Sequence, residues 1–421
     1  MSGQDSHSAA GSPTSRRFLP WLLVLFAGSG CSALIYEIVW FQLLQLSLGS
    51  TAISLAVLLG SFMGGMCLGS LALPRMVSLR YHPLRVYAVM ELGIGILGIA
   101  LLFGLPHANR LYAAVCLLPA TLLMGASLPA VARWVETTPR GVSWLGFFYG
   151  GNIAGAVFGC LAAGFYLLRV HDMATATYTA AAINAAVAGL SFGLAAMTPY
   201  RPPAGGPVQD GATRAPDSWP VYVAIALSGL CALGAEVIWT RLLSLMLGAT
   251  VYTFSIILAV FLAGLGIGGG VGAWLARGVR RPRMALGGCQ LLLTAAIAWA
   301  AHMLARSLPY WSIQPPRSSP WFGFGFDFLR CLCAVLPAAC LWGASFPLAL
   351  AGVARRGQDP GRLLGRVYAA NTAGAIVGAV AFSLLLIPGI GTGPSQRVLI
   401  GLAGVAALVV LAPLRRKVLA L

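Results

Sequence analysis

Apolar residues run along this chain in twelve long blocks separated by short polar segments. The blocks lie near 18–48, 50–74, 84–106, 110–132, 143–168 and 173–197, then near 219–247, 250–276, 284–305, 326–353, 363–389 and 396–414. Each holds about 20 residues or more, the length of helix that crosses about 30 Å of hydrocarbon. The pattern predicts an all-α polytopic membrane protein of about 12 transmembrane helices. The first block, some 31 residues or about 46 Å of helix, is longer than a bilayer core, so a tilt or a break near Gly28–Gly30 is expected.

The blocks fall into two sets because the chain repeats itself. Ser29–Thr51 returns as Ser228–Thr250 with 12 of 23 positions identical, including Glu37/Glu236, Trp40/Trp239 and Gly49/Gly248. Leu118–Pro129 matches Leu336–Pro347, and Leu145–Gly159 matches Leu364–Gly378. Each set has an even number of spans, so both enter the membrane the same way round. The expected organisation is a disordered cytoplasmic N-terminus (1–17), a six-helix half (18–197), a cytoplasmic linker (198–218), a second, parallel-related half (219–414) and a basic tail (415–421). An axis along the membrane normal relates such halves, as in transporters of the major-facilitator type. The N-terminus reads as an anchor, without the small-residue cleavage site of a signal peptide.

Composition agrees with the pattern: hydrophobic residues make up 59% and charged residues 9%, against about 25% charged in a soluble domain. The net charge of +17 does not point to nucleic acid, because the basic residues lie between apolar blocks and record orientation. With the N-terminus inside, 20 basic residues fall on the inner side and 5 on the outer. Both termini are thus expected in the cytoplasm, in a bacterial-type inner membrane. The outer loop near 307–324, rich in Pro and Trp, reads as a cap at the interface.

Three doubled motifs now stand together: E-x-x-W, the GAS-x-P segment, and Y-x-x-N-x-x-G-A-x-x-G from Tyr149 and from Tyr368. In these the chain resembles the membrane domain of fused major-facilitator/spermidine-synthase proteins, over nearly all of Trp21 to Pro413. The resemblance implies a major-facilitator-like bundle and a polyamine-related substrate. The soluble aminopropyltransferase domain that commonly follows in that family is expected to be absent from this chain. The usual facilitator loop G-x-x-x-D-R is also altered: Gly272–Arg277 carries Ala276 at the Asp position, and Ser70–Arg75 carries Pro74.

The candidate substrate or ion sites are polar residues inside apolar spans. A carboxylate in hydrocarbon costs a few kcal/mol even on lenient scales, so Glu37 and Glu236 come first, as proton carriers, cation ligands or neutral packing groups. Arg241 replaces Gln42 in the second copy; it lies about 140° round the helix from Glu236, and either binds an anionic group or reaches outward. Glu91 aligns with Gln290, an asymmetry that suits coupling or an interface hydrogen bond. Tyr149, Asn152, Gly155 and Gly159, repeated as Tyr368, Asn371, Gly374 and Gly378, form a stripe suited to close helix packing. Pro119, Pro129, Pro337 and Pro347 can break their helices.

Other signals carry less. Gly264, Gly266 and Gly269 match a nucleotide-loop pattern but lie in a membrane span with no preceding strand. The nine Cys read as reduced packing residues, and no cofactor, metal site or catalytic set is expected. The leading expectation is a secondary transporter of a small charged metabolite, with the bilayer and that metabolite as partners. The alternative is a non-transporting scaffold for a separately encoded synthase or maturation enzyme; an enzyme acting within the membrane comes third. Topology is directly testable. Reporters fused after Arg214 and after Lys417 should report cytoplasm, and one near Gln314 the outside; a cytoplasmic signal at Gln314 would overturn the twelve-span arrangement.

Overall fold

The computed structural model describes residues 13–78, 80–107, 109–132, 139–198, 200, 218–311, 320–354 and 360–419. Among them no strand occurs, and twelve helices are long and apolar enough to cross a membrane. They are α1 (Pro20–Leu48), α2 (Ala52–Ala72), α3 (Pro83–Gly104), α4 (Arg110–Val131), α5 (Gly150–Val170) and α6 (Met173–Met197), followed by α7 (Trp219–Leu247), α8 (Val251–Gly278), α9 (Pro282–Tyr310), α10 (Trp321–Val353), α11 (Gly365–Ile390) and α12 (Thr392–Pro413). The all-α polytopic class read from the sequence is the one observed.

Several details differ from expectation. The first helix extends back to Pro13, so residues 13–17 are helical rather than disordered; proline is tolerated at the first helical position because its missing N–H would be unpaired there anyway. The linker 198–218 lies almost wholly outside the described residues. The expected outer cap is partly helix, since α10 begins at Trp321 rather than near 326. No break occurs near Gly28–Gly30, where α1 is continuous. Nor do the four prolines break α4 or α10. At Pro337 the reason is visible: without a proline N–H the Cys333 carbonyl loses its helical donor, and Trp299 Nε1 donates to it instead at 3.0 Å.

Local signals set the helix ends. Gly49 (φ 66°) and Gly248 (φ 98°) follow the matched helices α1 and α7 in left-handed backbone, which only glycine adopts cheaply. Asp172 caps α6 by accepting the Thr175 N–H at 2.7 Å, and that bond holds its carboxyl below the usual carboxylate range. His82 caps α3 and bonds the Thr198 carbonyl at 3.0 Å, tying the start of α3 to the end of α6; burial nonetheless pushes its imidazole down.

Packing repeats with the sequence. In the first half α1 lies along α5 and α2 along α4; in the second, α7 lies along α11 and α8 along α10. Glycine makes these contacts possible. A Cβ at Gly155 would overlap the Ala27 carbonyl, and one at its partner Gly374 would overlap the Ala226 carbonyl. Gly159 meets Cys31 and Gly378 meets Leu230 in the same manner. Between halves, α5 packs on α8 and α2 on α11. Both pairs are antiparallel, as the Ile153–Gly266 and Gly164–Ser255 contacts show for the first and the Gly60–Val380 and Gly64–Ile376 contacts for the second.

The buried core has a forked shape. One continuous cluster joins both halves, taking in Cys31 to Leu44 of α1 and Cys231 to Leu243 of α7. Toward the start of α1, the end where the basic loops gather, it gives way to two separate clusters. One holds Leu22, Leu25 and Phe26 with Leu84 and Tyr87; the other holds Val221, Ala224 and Ile225 with Leu286 and Leu348. The halves are thus joined at one end and apart at the other.

Gly374→Leu should cost about 3 kcal/mol, the upper end for overpacking, because its neighbour is backbone that cannot turn aside. Gly401→Ala, with no atom near its Cβ position, should be neutral or stabilising by about 1 kcal/mol or less. Thermal midpoints in detergent check both; equal midpoints would refute the close-approach account.

Candidate functional site

The segments that carry the two matched acids are buried on every side. From Ser29 to Phe41 and from Ser228 to Thr240 every residue is buried except Ala33 and Leu230, which are partly so. A helix that is apolar all round and touches no lipid is an interior helix, so α1 and α7 are central. Glu37 and Glu236 are each 5% exposed. Cys160 of α5 belongs to the same continuous core cluster as Tyr36 and Ile38 beside Glu37 and Ala235 and Val237 beside Glu236. Both acids belong to the joined part of the core, roughly 9 Å of helix beyond the fork at 1.5 Å per residue.

Neither acid is satisfied by the protein. Among the described residues no side chain or backbone group bonds Glu37 or Glu236, and the ion pair between Arg330 and Asp327, at 3.2 Å, lies elsewhere. Neighbouring donors are also unused. Trp40 Nε1 and Trp239 Nε1, three residues on from each acid, and Thr240 Oγ1, four on from Glu236, are buried without partners. An unpaired buried charge costs several kcal/mol. The two carboxyls therefore call for protons or a positive group that the chain does not supply.

Glu91 is the opposite case. It is fully buried, accepts from Ser29 Oγ at 2.6 Å on one oxygen and from Asn184 Nδ2 at 2.6 Å on the other. Asn184 also donates to Ser32 Oγ at 3.1 Å. The carboxyl thus clamps α1, α3 and α6 together. In the second half Gln290 donates to Ser228 Oγ at 3.3 Å and to Ser345 Oγ at 3.0 Å, joining α9 to α7 and α10. Of the two roles the sequence left open for this pair, the geometry displays the interface hydrogen bond.

The remaining candidates spread out. Asn152 Nδ2 donates to the Phe26 carbonyl at 3.3 Å, and the Asn152 and Asn371 carbonyls lie against Gly30 and Gly229, so both residues serve helix packing. Tyr368 stands edge-on to Phe346 with ring centroids 6.4 Å apart, away from the acids. The side chain of Tyr149 lies outside the described residues. Arg241 is exposed and Gln42 half-buried, near the outer ends of α7 and α1, which favours the outward-reaching reading of the arginine. No group of three or more possible metal ligands occurs among the described residues. All nine cysteines are free.

Sequence reasoning missed Ser29, Asn184, Ser345, Thr240 and Cys160. Asn184 carried a signal, as the lone amide in the alanine-rich span α6, and Ser29 and Ser228 open the doubled block. Cys160 carried none, because its matched position is Ala379.

At the end away from the basic loops an aromatic seal joins the halves. Phe41 meets Phe254 at 4.3 Å, Phe165 meets Tyr252 at 5.4 Å and Phe324 at 5.1 Å, and the Arg169 guanidinium lies 5.1 Å from the Trp321 ring centre. Phe165 sits in a π-helical turn, Ala163–Leu167, whose counterpart Phe382–Leu386 occupies the matched place in α11.

No protein-family model matches the chain. It is 30% identical over 174 residues to polyamine aminopropyltransferase 2 of Streptomyces coelicolor; the match covers 41% of this chain but only 30% of that protein's length. Solved structures match far more of it. A bacterial homolog of the human lysosomal transporter Spinster, inward-facing and occupied, superposes with a TM-score of 0.68 at 13% identity over 96% of this chain and 98% of the other. The POT family transporter PepTSo gives 0.67 at 14% identity over 95% and 98%. The nucleoside transporter NupG gives 0.61 at 14% over 94% and 98%. At these identities the likeness is one of fold: the chain is a multi-pass membrane protein with a major-facilitator-like bundle of twelve helices.

Proposed function

We propose that this chain is a secondary transporter of a small charged metabolite, with Glu37 and Glu236 as its proton or cation sites. The observation that carries the reading is the pair of buried, unpartnered carboxyls just beyond the fork between the halves. Intramembrane acids are costly, and where the fold does not satisfy them a functional role is the default. The forked core supports access from one end, and the antiparallel α5–α8 and α2–α11 contacts are surfaces on which two halves can rock. A polyamine is the finer reading, supported by the partial match to an aminopropyltransferase and by the three doubled motifs of the fused family. The excess of basic residues in the loops at the open end supports a cytoplasmic position for that end and for both termini, in a bacterial-type inner membrane. The competing reading, a scaffold for a separately made synthase, gives no reason for two unsatisfied acids in the core.

Flux of labelled spermidine into proteoliposomes at two pH values tests the proposal. Glu37→Gln and Glu236→Gln should each abolish pH-dependent flux while the protein remains folded and inserted. Unchanged flux in both variants would remove the acids from the mechanism.

Glu91→Gln should be milder, since turning the Asn184 amide lets its Oδ1, unpartnered now, accept from the new side chain. Glu91→Leu should lower stability by about 3 kcal/mol, because it strands two buried groups at roughly 1–3 kcal/mol each. Thermal midpoints separate the two. Equal loss in both would mean that the clamp depends on the charge rather than the hydrogen bonds.

A further inference from the structure

We propose that the turn between α8 and α9 binds an anionic phospholipid, with Arg280, Arg281 and Arg283 on the headgroup phosphate and Trp274 and Met284 along its acyl chains. Such a site requires only that the spans lie in a bilayer, and it stands whatever the chain transports.

The turn lies at the end where the core forks, and it is strongly basic. Arg277, Arg280, Arg281 and Arg283 fall within seven residues. The first three are exposed. Arg283 is half-buried and gives its Nε to the Gly352 carbonyl at 3.0 Å, which ties the turn to the end of α10. Among the described residues the acids are Glu37, Glu91 and Glu236 inside spans and Asp172 and Asp327 at the opposite end. None of these stands beside the turn.

An apolar flank adjoins the arginines. Trp274, three residues before Arg277 on α8, is 70% exposed, and Met284, in the first turn of α9, is 45% exposed. Arg281 Nη1 lies 3.7 Å from the Met284 sulfur, so a guanidinium borders the apolar surface directly. Exposed Ile267 and Val271 continue that surface along α8, at the helical spacing that puts them on the face of Trp274. A tryptophan exposed near the end of a span marks the level of the headgroups.

Orientation alone does not account for this arrangement. A bias of basic charge decides which side a loop faces, wherever in the loop the charges stand. The repeat shows the difference. In the turn between α2 and α3, Ser78, Tyr81, His82 and Leu84 occupy the places of Arg277, Arg280, Arg281 and Arg283. Arg75 and Arg85 occupy those of Trp274 and Met284. His82 is spent on packing, through Leu84 N–H and the Thr198 carbonyl. The first turn thus mixes charge into its flank, whereas the second separates a basic turn from an apolar flank. That separation matches a phospholipid. Guanidinium groups take phosphate oxygens in paired N–H···O bonds, anionic headgroups gather basic clusters at the ends of spans, and the chains lie in hydrocarbon. A soluble phosphate could use the arginines but would gain nothing from Trp274.

Native mass spectrometry of the full chain in uncharged detergent counts bound lipids during titration with dioleoylphosphatidylglycerol or dioleoylphosphatidylcholine. The chain should hold the first more tightly, and added salt should erode that preference. Arg280→Gln and Arg281→Gln should each weaken phosphatidylglycerol binding about fivefold, the equivalent of about 1 kcal/mol per arginine near the surface. The double variant should lose more than either. Arg280→Lys keeps the charge and should retain most of the binding, which separates lost charge from lost fold. Trp274→Ala should weaken both lipids alike, and Arg80→Gln in the first-half turn should weaken neither. Equal affinity for the two lipids, or an unchanged preference in the double variant, would overturn the proposal. So would displacement of the lipid by an equal concentration of inorganic phosphate, which would make the turn a site for a soluble anion.

Discussion

Each half is built on one contact, the near-touching backbones of its central helix and its fifth helix. Lipid is as apolar as a leucine side chain, so helices in a bilayer gain little by burying apolar surface against one another. Close van der Waals packing must supply the association. The Ala27–Gly155 and Cys31–Gly159 contacts do so for α1 and α5, and Ala226–Gly374 and Leu230–Gly378 do so for α7 and α11. With α5 and α11 drawn in this closely, α1 and α7 have no lipid-facing side along the segment that bears the acids. A larger residue at any of these four glycines would push the central helix outward and open a path for lipid or water to Glu37 or Glu236.

The fold is symmetric, but the chemistry laid on it is not. Matched positions hold Glu91 and Gln290, Cys160 and Ala379, Gln42 and Arg241. Glu91 reaches α1 and α6, whereas Gln290 reaches α7 and α10. The second half cannot copy the first clamp, because Ala403 stands at the place of Asn184. The aromatic seal is also one-sided. It lies along α5, α8 and α10, while the matched α11–α2 contact is aliphatic, with Val380 and Ile376 against Gly60 and Gly64. One side is thus held by ring contacts and the other by aliphatic side chains against glycine.

Much of this was legible in the residues. Span length and the doubled blocks specify twelve helices, because a bilayer admits few backbone solutions and each must close its own hydrogen bonds. The prominence of Glu37 and Glu236 was legible too, since an acid in an apolar run is costly wherever it lies. What the acids touch was not. Helical spacing places Trp40 and Trp239 on the faces of the acids, but it does not say that their N–H groups are left unpaired. Glu91 and Glu37 look alike in sequence; only the approach of Ser29 and Asn184, the latter 93 positions away, separates a clamped carboxyl from a free one. The prolines misled for a similar reason. A missing N–H implies a break unless another donor is near, and Trp299 is such a donor from a different helix.

The geometry also bounds the energy of any exchange between ends. To open the sealed end, the ring contacts of Phe41 and Phe165 must part. Aromatic pairs are worth about 0.5–1.5 kcal/mol each beyond their buried area, and the Arg169–Trp321 contact about 0.5–2 kcal/mol. The seal therefore favours the present arrangement by several kcal/mol. Moving a two-state equilibrium from one side to the other takes about 5.5 kcal/mol of differential binding. Neutralising two unpaired carboxyls in the joined core is an event of that size, since each costs several kcal/mol while charged and alone. On the proposed reading it takes place where the halves meet, so its energy would act directly on the contact that must change. An acid clamped within one half, as Glu91 is, has no such leverage.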